Sequence, residues 1–155
     1  MNKLKLQSLS VSQLNDCHYE LLLEADPSIE LLQAYLPDST IFALSKEKQV
    51  IGMLVLCPCK EKSEIEIKTI SVSKAYRRQG FGFYLLEEAE SFAKKHQFTY
   101  LVIGTGSTSF HQLYMYQKFG FRMDYIVKDF FLKYKEELIE NQLKLYDMVI
   151  LRKKL

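Results

Sequence analysis

Apolar and polar side chains alternate in several short runs along this chain of 155 residues, as they do in β-strands. Charged or glycine-containing segments separate the runs, and the polar stretch 45–49 predicts a turn that joins two of them as a hairpin. The predicted strands are Leu4–Leu9, Ile41–Leu44, Val50–Leu56, Ile65–Val72, Tyr100–Ile103, Phe121–Val127 and Tyr146–Leu151.

Other segments have helical periodicity. The clearest begins at Gly82 and places Leu85, Leu86, Ala89, Phe92 and Ala93 on one apolar stripe, with charged residues mostly opposite. The predicted helices are one capped by Ser10 or Ser12 and ended by Asp26-Pro27, and those at Ser28–Leu36, Gly82–His96, Ser109–Lys118 and Asp129–Asn141.

The resulting order is β-α-α-β-β-β-α-β-α-β-α-β, which predicts a mixed α/β fold around one central sheet. The strand, helix and strand from Glu64 to Ile103 predict a right-handed crossover unit. We find no repeat and no linker-like segment, so we predict a single domain over residues 1–155.

Composition fits a globular protein, with 48% hydrophobic and 26% charged residues. The 21 basic and 19 acidic side chains nearly balance, which argues against a nucleic-acid partner. No apolar run approaches the length that spans a bilayer, so we expect no membrane segment and a cytoplasmic location.

The cysteines and histidines do not form a recognisable framework. Cys17, Cys57 and Cys59 are odd in number, which argues against paired disulfides, and we interpret Cys57-Pro58-Cys59 as ordinary packing at a strand end. The three histidines have no ligand spacing to one another or to the cysteines. We therefore expect no metal.

The most informative segment runs from the strand at Ile65–Val72 into the helix at Gly82. Gly80 and Gly82 allow the backbone to approach a ligand closely. The first amides of the helix have no partner within it, and the helix dipole favours an anion there. With Arg77 and Arg78 beside them, these features predict a pyrophosphate-binding loop.

The pattern Arg77-x-x-Gly80-x-Gly82 after an apolar strand resembles the coenzyme A-binding motif of the GNAT superfamily of N-acetyltransferases. A second segment, Leu113–Phe121, resembles that family's later signature, a helix with Tyr116 four residues before a Gly-Phe pair. The two motifs are one helix and one strand apart, as in the family. The likeness in element order begins at Leu4 and covers nearly the whole chain.

The resemblance implies a GNAT-like domain with a mixed, largely antiparallel sheet flanked by helices. It also implies an enzyme that moves an acetyl group from acetyl-coenzyme A to a primary amine, by direct attack through a tetrahedral intermediate. The acceptor would be a small molecule or a protein, and a homodimer is possible. Two alternatives stay open: a non-catalytic module that binds acyl-coenzyme A and regulates a partner, and an interaction protein whose glycine loop is only structural.

The resemblance also implies which residues bind the cosubstrate. The pantetheine arm would lie along the strand at Ile70, and a strand amide there would donate to the developing oxyanion. An asparagine that is common in the family is replaced here by serines, which could bond the arm and cap the helix. The expected cofactor-binding residues are Ile70, Ser71, Val72, Arg77, Arg78, Gln79, Gly80, Phe81, Gly82, Phe83, Ser107 and Ser109.

Gly104-Thr-Gly106 follows a strand and opens a helix, as in a dinucleotide-binding motif. The third glycine of that motif is missing, and too little chain remains for a dinucleotide half-fold. We interpret this segment as a turn that lines the coenzyme site.

Tyr116 is the candidate general acid, because a phenol is protonated at pH 7 and can donate to a departing thiolate. In helical projection it lies off the stripe formed by Phe110, Leu113, Tyr114 and Gln117, and on nearly the same side as Ser109. Simple packing of Tyr116 is the alternative.

Glu66 is the candidate general base, at a position where many relatives carry a carboxylate. Glu64, Glu66 and Lys68 also alternate as on a solvent-facing strand, and a neutral amine would need no base, so its role stays open.

The acceptor site would be built from the N-terminal helices, the strand hairpin and the Asp129–Asn141 segment. Aromatic and acidic side chains in that last segment would suit a cationic amine: Phe130, Phe131, Tyr134, Glu137 and Glu140. An exposed amphipathic helix or a dimer contact would explain the same residues.

Overall fold

A computed structural model describes residues 3–155. Within this range, nine strands form a seven-stranded sheet and a separate two-stranded hairpin. The strands are β1 (Leu4–Leu9), β2 (Thr40–Lys46), β3 (Gln49–Pro58), β4 (Glu64–Val72), β5 (Tyr100–Gly106), β6 (Arg122–Val127), β7 (Ile139–Glu140), β8 (Leu143–Lys144) and β9 (Met148–Lys154).

In the same part of the chain, four α-helices connect these strands, together with short 3₁₀ turns at Val11–Gln13, Leu36–Asp38, Lys74–Tyr76 and Phe130–Lys133. The helices are α1 (Asp16–Ala25), α2 (Ile29–Tyr35), α3 (Phe81–Lys95) and α4 (Phe110–Phe119).

The large sheet has the strand order β1-β2-β3-β4-β5-β9-β6. All neighbouring strands are antiparallel except β4 and β5, which are parallel and are connected by α3. The prediction of a mixed, largely antiparallel sheet is therefore confirmed. The polar turn between β2 and β3 is also where we expected it, at Glu47 and Lys48, which have left-handed backbone angles.

Each face of the sheet carries its own core. On one face, α1 and α2 bury Leu22 and Leu32 against β2 and β3. On the other, α3 packs its apolar stripe against the centre of the sheet, with Leu85, Leu86, Ala89 and Ala93 fully buried, which confirms most of the predicted stripe. The two layers of helices fix the sheet from both sides and hold the ends of β4 and β5 in place.

Strands β4 and β5 pair over only part of their length. The parallel register joins Glu64–Ile67 to Tyr100–Ile103 and then stops. Beyond that point β4 continues beside β3 through an irregularity next to Val55, while β5 continues beside β9. After Ile67 and Ile103, the facing edges of β4 and β5 have no strand partner within residues 3–155. The candidate site lies at the gap between these two edges.

The predicted helix at Asp129–Asn141 is wrong. The segment contains one 3₁₀ turn, Phe130–Lys133, followed by the β7–β8 hairpin, whose turn residues Asn141 and Gln142 have φ angles of 55° and 66°. Long-range contacts override the helical pattern: the Tyr134 hydroxyl donates to Asp26 at 2.9 Å. The observed order therefore lacks the last predicted helix.

The first predicted helix begins later than the serines indicated. Ser10 caps the 3₁₀ turn at Val11–Gln13, whereas α1 is capped by Asn15, whose side-chain oxygen accepts from the Cys17 amide at 3.0 Å. Asparagine and serine are equally good caps, so the sequence offered two starts. By contrast, Ser28 does cap α2, as its predicted boundary implied.

We expect Leu86→Ala to lower the free energy of unfolding by about 2–5 kcal/mol, because the side chain is fully buried between α3 and the sheet and its loss leaves a cavity. Urea denaturation measures the change. Leu132→Ala is the control, since this leucine is 51% exposed and its loss should cost less than about 0.5 kcal/mol. Equal effects of the two changes would contradict the assignment of the core.

Candidate active site

A cleft of about 620 Å³ lies where β4 ends and α3 begins, and we call it the α3 cleft. Helix α4 supplies its other wall, through His111, Gln112, Tyr114, Met115, Tyr116 and Lys118. Most of the predicted cofactor-binding residues line it: Ile70, Ser71, Val72, Arg77, Arg78, Gly80, Phe81, Gly82 and Phe83.

The start of α3 presents free backbone donors to the α3 cleft. Gly80 is the N-cap, with φ of +87°, and a side chain built there would meet no atom within 4 Å. The Tyr84 amide is the first in the helix to find a main-chain partner, the Gly80 carbonyl at 3.0 Å. The amides of residues 81–83 have no acceptor within residues 3–155. Together with the helix dipole they form an anion-binding surface.

The two arginines of the loop have different roles. Arg77 is held in place, because its Nε donates to the Val72 carbonyl at 3.0 Å and its guanidinium pairs with Glu24 at 3.3 Å. Arg78 is exposed and has a left-handed φ of 61°. It lines the α3 cleft and contributes a positive charge there. Gln79 donates to the Ala75 carbonyl and does not line the cleft.

The end of β4 offers the α3 cleft a strand edge. Ile70, Ser71 and Val72 pair with β3 along one edge and line the cleft along the stretch where β5 has diverged. An extended ligand that carries amide groups could therefore add to this edge as a further strand would. A long, amide-containing arm that ends in phosphate fits these residues.

The serines before α4 do not line the α3 cleft. The Ser107 amide donates to the Asp147 carbonyl at 2.9 Å, and Ser109 is buried with its hydroxyl bonded to Glu140. Gly104-Thr-Gly106 is part of β5, not a turn, and it lines a different cavity. The glycines there allow close packing: a Cβ on Gly104 would lie 2.7 Å from the Met148 sulfur.

That second cavity, of about 690 Å³, lies beneath the β7–β8 hairpin, and we call it the hairpin cavity. Its walls come from the end of α1, from α2, from the diverging parts of β4 and β5, and from the segment after β6. Four of the side chains expected at the acceptor site line it: Phe130, Phe131, Tyr134 and Glu140. Glu137 is exposed and does not.

Tyr116 lines both cavities, and its exposed fraction is 4%. It is the buried residue of α4, whereas Phe110 and Tyr114 of the predicted stripe are 53% and 62% exposed. Burial raises the pKa of Tyr116, and the negative charge of Glu140 raises it further. The phenol therefore keeps its proton at neutral pH.

Glu66 faces the hairpin cavity rather than the α3 cleft. Its carboxylate forms an ion pair with Lys68 at 3.0 Å, and the Lys68 ammonium lies 5.6 Å from the centre of the Tyr35 ring. Tyr35 in turn shares a hydrogen bond of 2.8 Å with Thr69. The charge of Glu66 is thus largely compensated by its neighbour.

Sequence reasoning missed part of each wall. Gln112 and Met115 line the α3 cleft beside Tyr116, and the first of them is one helical turn before it, a spacing that could have identified it. Asp26 and Tyr35 line the hairpin cavity. No sequence pattern near these two residues indicates this position, because the packing of α1 and α2 on the sheet brings them to the cavity.

A model of the acetyltransferase (GNAT) family matches residues 9–121. The chain belongs to this family. The GNAT membership and fold predicted from the two motifs are confirmed, and the activity class of the family is N-acetyl transfer.

Relatives agree with this assignment over nearly the whole length. An uncharacterized N-acetyltransferase of Bacillus subtilis (strain 168), YvbK, is 38% identical over 150 residues, which are 96% of each chain. A GNAT family acetyltransferase of Elizabethkingia anophelis with acetyl-CoA bound matches with a TM-score of 0.92 and 37% identity over 98% of both chains. A Bacillus subtilis acetyltransferase in complex with CoA has the same TM-score and identity, over 99% of both chains.

Among residues 3–155, no three His, Cys, Asp or Glu side chains come together in a group that could hold a metal ion. Over the same residues, every helix is too short or too polar to cross a membrane.

The two glycines of the GNAT loop should respond oppositely to alanine. Gly80→Ala should lower the free energy of unfolding by about 1 kcal/mol, because its left-handed angle is costly for any residue with a Cβ. Gly82→Ala should raise it by up to about 1 kcal/mol, since alanine favours the helix and its Cβ would meet Met115 at an ordinary 3.4 Å. Thermal or urea unfolding of the two variants tests this, and a shift in the same direction for both would contradict it.

Proposed function

We propose that this GNAT protein transfers an acetyl group from acetyl-coenzyme A to a primary amine. The observation that carries the proposal is the position of Tyr116, whose buried phenol lies where the α3 cleft and the hairpin cavity meet. An anion-binding surface lies on one side of this phenol, and a cavity with carboxylates and aromatic rings on the other. An acyl transfer needs its donor and its acceptor to meet beside a proton donor.

The α3 cleft is the proposed donor site, where bound acetyl-coenzyme A would supply a reactive thioester. The amides of Phe81, Gly82 and Phe83, with the free charge of Arg78, would hold the pyrophosphate. Arg77 would act indirectly, by fixing the loop to β4 through Val72. The exposed edge at Ile70–Val72 would hold the pantetheine arm, and an amide near Ile70 would stabilise the negative charge that develops on the carbonyl oxygen.

Tyr116 is the proposed general acid. Its raised pKa means that the phenol carries its proton at neutral pH and has one to donate to the departing sulfur, and its burial shields it from water. Ser109 contacts Glu140 rather than the α3 cleft, so we assign no donor contact to its hydroxyl.

The hairpin cavity is the proposed acceptor site. It is enclosed on several sides by side chains from both halves of the chain, which suits a small amine better than a folded protein surface. A carboxylate here would take the proton of the amine, and Glu66 is the candidate that the sequence supplies.

Thiol release from acetyl-coenzyme A, measured across a panel of primary amines, tests the proposal. We expect turnover with at least one amine, and a kcat about 100-fold lower for Tyr116→Phe, which removes only the proton donor. Calorimetry with coenzyme A should show equal binding to both proteins. Tight coenzyme binding without turnover on any amine would contradict catalysis and favour a regulatory module, whereas no binding at all would contradict the donor site as well.

The pH dependence of kcat gives a second test. An unperturbed tyrosine titrates near pH 10, and the pKa of Tyr116 is raised above this. Its protonated form, which is the active one, should therefore persist through about pH 10. A descending limb centred below that pH in the wild type but absent from Tyr116→Phe would show that the phenol ionises too early and would contradict this environment.

A further inference from the structure

Glu140 extends from the end of β7 across the hairpin cavity to the start of α4. Its carboxylate accepts a hydrogen bond from the buried Ser109 hydroxyl, 31 residues earlier in the chain. The next residue, Asn141, donates from its side chain to the Thr108 carbonyl at 2.7 Å. These adjacent contacts fasten the hairpin to the loop before α4, so the position of Glu140 is fixed by the structure around it.

Close packing beneath the hairpin adds to this constraint. A Cβ placed on Gly106 would lie 2.9 Å from the Ser109 hydroxyl oxygen and 2.5 Å from a methyl group of Leu145. Only glycine lets both side chains approach the end of β5 this closely. Leu145 is buried and directly follows β8, so the hairpin is held from both of its strands.

Glu140 is also distinguished by its charge. Of the four carboxylates that line the hairpin cavity, Glu24 pairs with Arg77 and Glu66 with Lys68, at 3.3 and 3.0 Å. Asp26 accepts from the Tyr134 hydroxyl. Within residues 3–155, no nitrogen of lysine, arginine or histidine lies within 4 Å of the Glu140 carboxylate. Its negative charge is therefore not compensated by an ion pair, and this charge raises the pKa of the Tyr116 phenol.

We propose that Glu140, rather than Glu66, binds the ammonium group of a cationic primary amine in the hairpin cavity and accepts its proton. This role rests on the function proposed above. An ammonium group is the natural partner for an uncompensated carboxylate in a partly enclosed site. The position beside Ser109 and Tyr116 places that group at the boundary with the α3 cleft, where the acyl group would arrive.

The protons balance in this scheme. Glu140 takes the first proton of the ammonium group, and the freed nitrogen lone pair bonds to the acetyl carbon to give a tetrahedral intermediate. Collapse of this intermediate restores the carbonyl group and breaks the carbon–sulfur bond. The sulfur leaves with the electron pair and receives the proton of Tyr116. The nitrogen loses a second proton as the amide forms, which restores the phenol, and Glu140 returns its proton to water.

The walls indicate what the rest of the amine looks like. Apolar side chains line the hairpin cavity around Glu140, including Leu31, Phe131, Ile139, Leu145 and Met148. They would bury an alkyl or aryl body while the ammonium group contacts the carboxylate. The acceptor class is therefore a primary amine with an apolar body, such as an alkylamine or arylalkylamine.

Other groups around the hairpin cavity can affect the pH dependence. Besides the four carboxylates, the titratable side chains that line it are Tyr35, Lys68, Tyr116, Lys133 and Tyr134. Burial, together with nearby carboxylate charge, raises the pKa values of the three phenols, so they stay neutral in the range of the experiment. Lys68 is paired with Glu66, and the Lys133 ammonium lies 3.7 Å from the centre of the Phe130 ring.

The test compares wild type with Glu140→Gln and Glu66→Gln, using hexylamine and 2-phenylethylamine as acceptors. Glutamine keeps the size of Glu140 and its ability to accept from Ser109, but removes the charge. We expect kcat/KM for the amine to fall at least about 100-fold near pH 7 in Glu140→Gln, because only amine that is already neutral reacts, and we expect this loss to shrink steadily as the pH rises toward the pKa of the amine. Calorimetric binding of coenzyme A should be unchanged.

Glu136→Gln is the matched control, since Glu136 is exposed in the same segment and lines neither cavity. It should behave as wild type. The assignment is overturned if Glu140→Gln retains wild-type kcat/KM near pH 7, if its loss is equal at every pH, or if Glu66→Gln shows the pH-dependent loss instead. A wild type that acetylates other amines of the panel but neither of these two would contradict the apolar acceptor class, whereas no turnover of any amine would remove the proposed function, and the role of Glu140 with it.

Discussion

The site depends on one constraint, the separation of β4 from β5 after Ile67 and Ile103. Backbone groups along a strand edge need partners, and a sheet that splits leaves such groups unpaired on both sides of the gap. On the β4 side the free edge adjoins the amides at the start of α3, so main-chain donors surround one cleft. On the β5 side the edge adjoins the start of α4 and the hairpin. The split thus creates two cavities that meet at Tyr116.

Local signals made much of this predictable. Apolar and polar side chains alternate along the strands, and the apolar stripe on α3 has helical spacing. Gly80 supplies the left-handed backbone angle at the N-cap of α3. Each of these signals lies within a few residues of sequence. Because these elements also define the α3 cleft, most of the residues that line it could be proposed before the structure was known. The family's own motifs lie in the same elements, since an anion-binding loop is a local device.

The segment after β6 could not be predicted in the same way. Its aromatic spacing is compatible with a helix, yet Tyr134 bonds to Asp26, 108 residues away, and Asn141 bonds to the Thr108 carbonyl. The turn of the hairpin consists of Asn141 and Gln142 and lacks the glycine that is typical of two-residue hairpin turns. The hydrogen-bond partner of Ser109 could not be predicted for a related reason, because it is a carboxylate supplied by that hairpin. Contacts between distant segments decided each of these features.

The α3 cleft contains no side chain from residues 122–155, whereas the hairpin cavity draws much of its wall from them. The two cavities share residues of α1, β4 and α4, but only the hairpin cavity also depends on this later stretch of the gene. If the proposed function holds, changes in residues 122–155 would alter the choice of amine while leaving the lining of the α3 cleft unchanged. Specificity could then diverge in a lineage without a matching loss of the basic reaction.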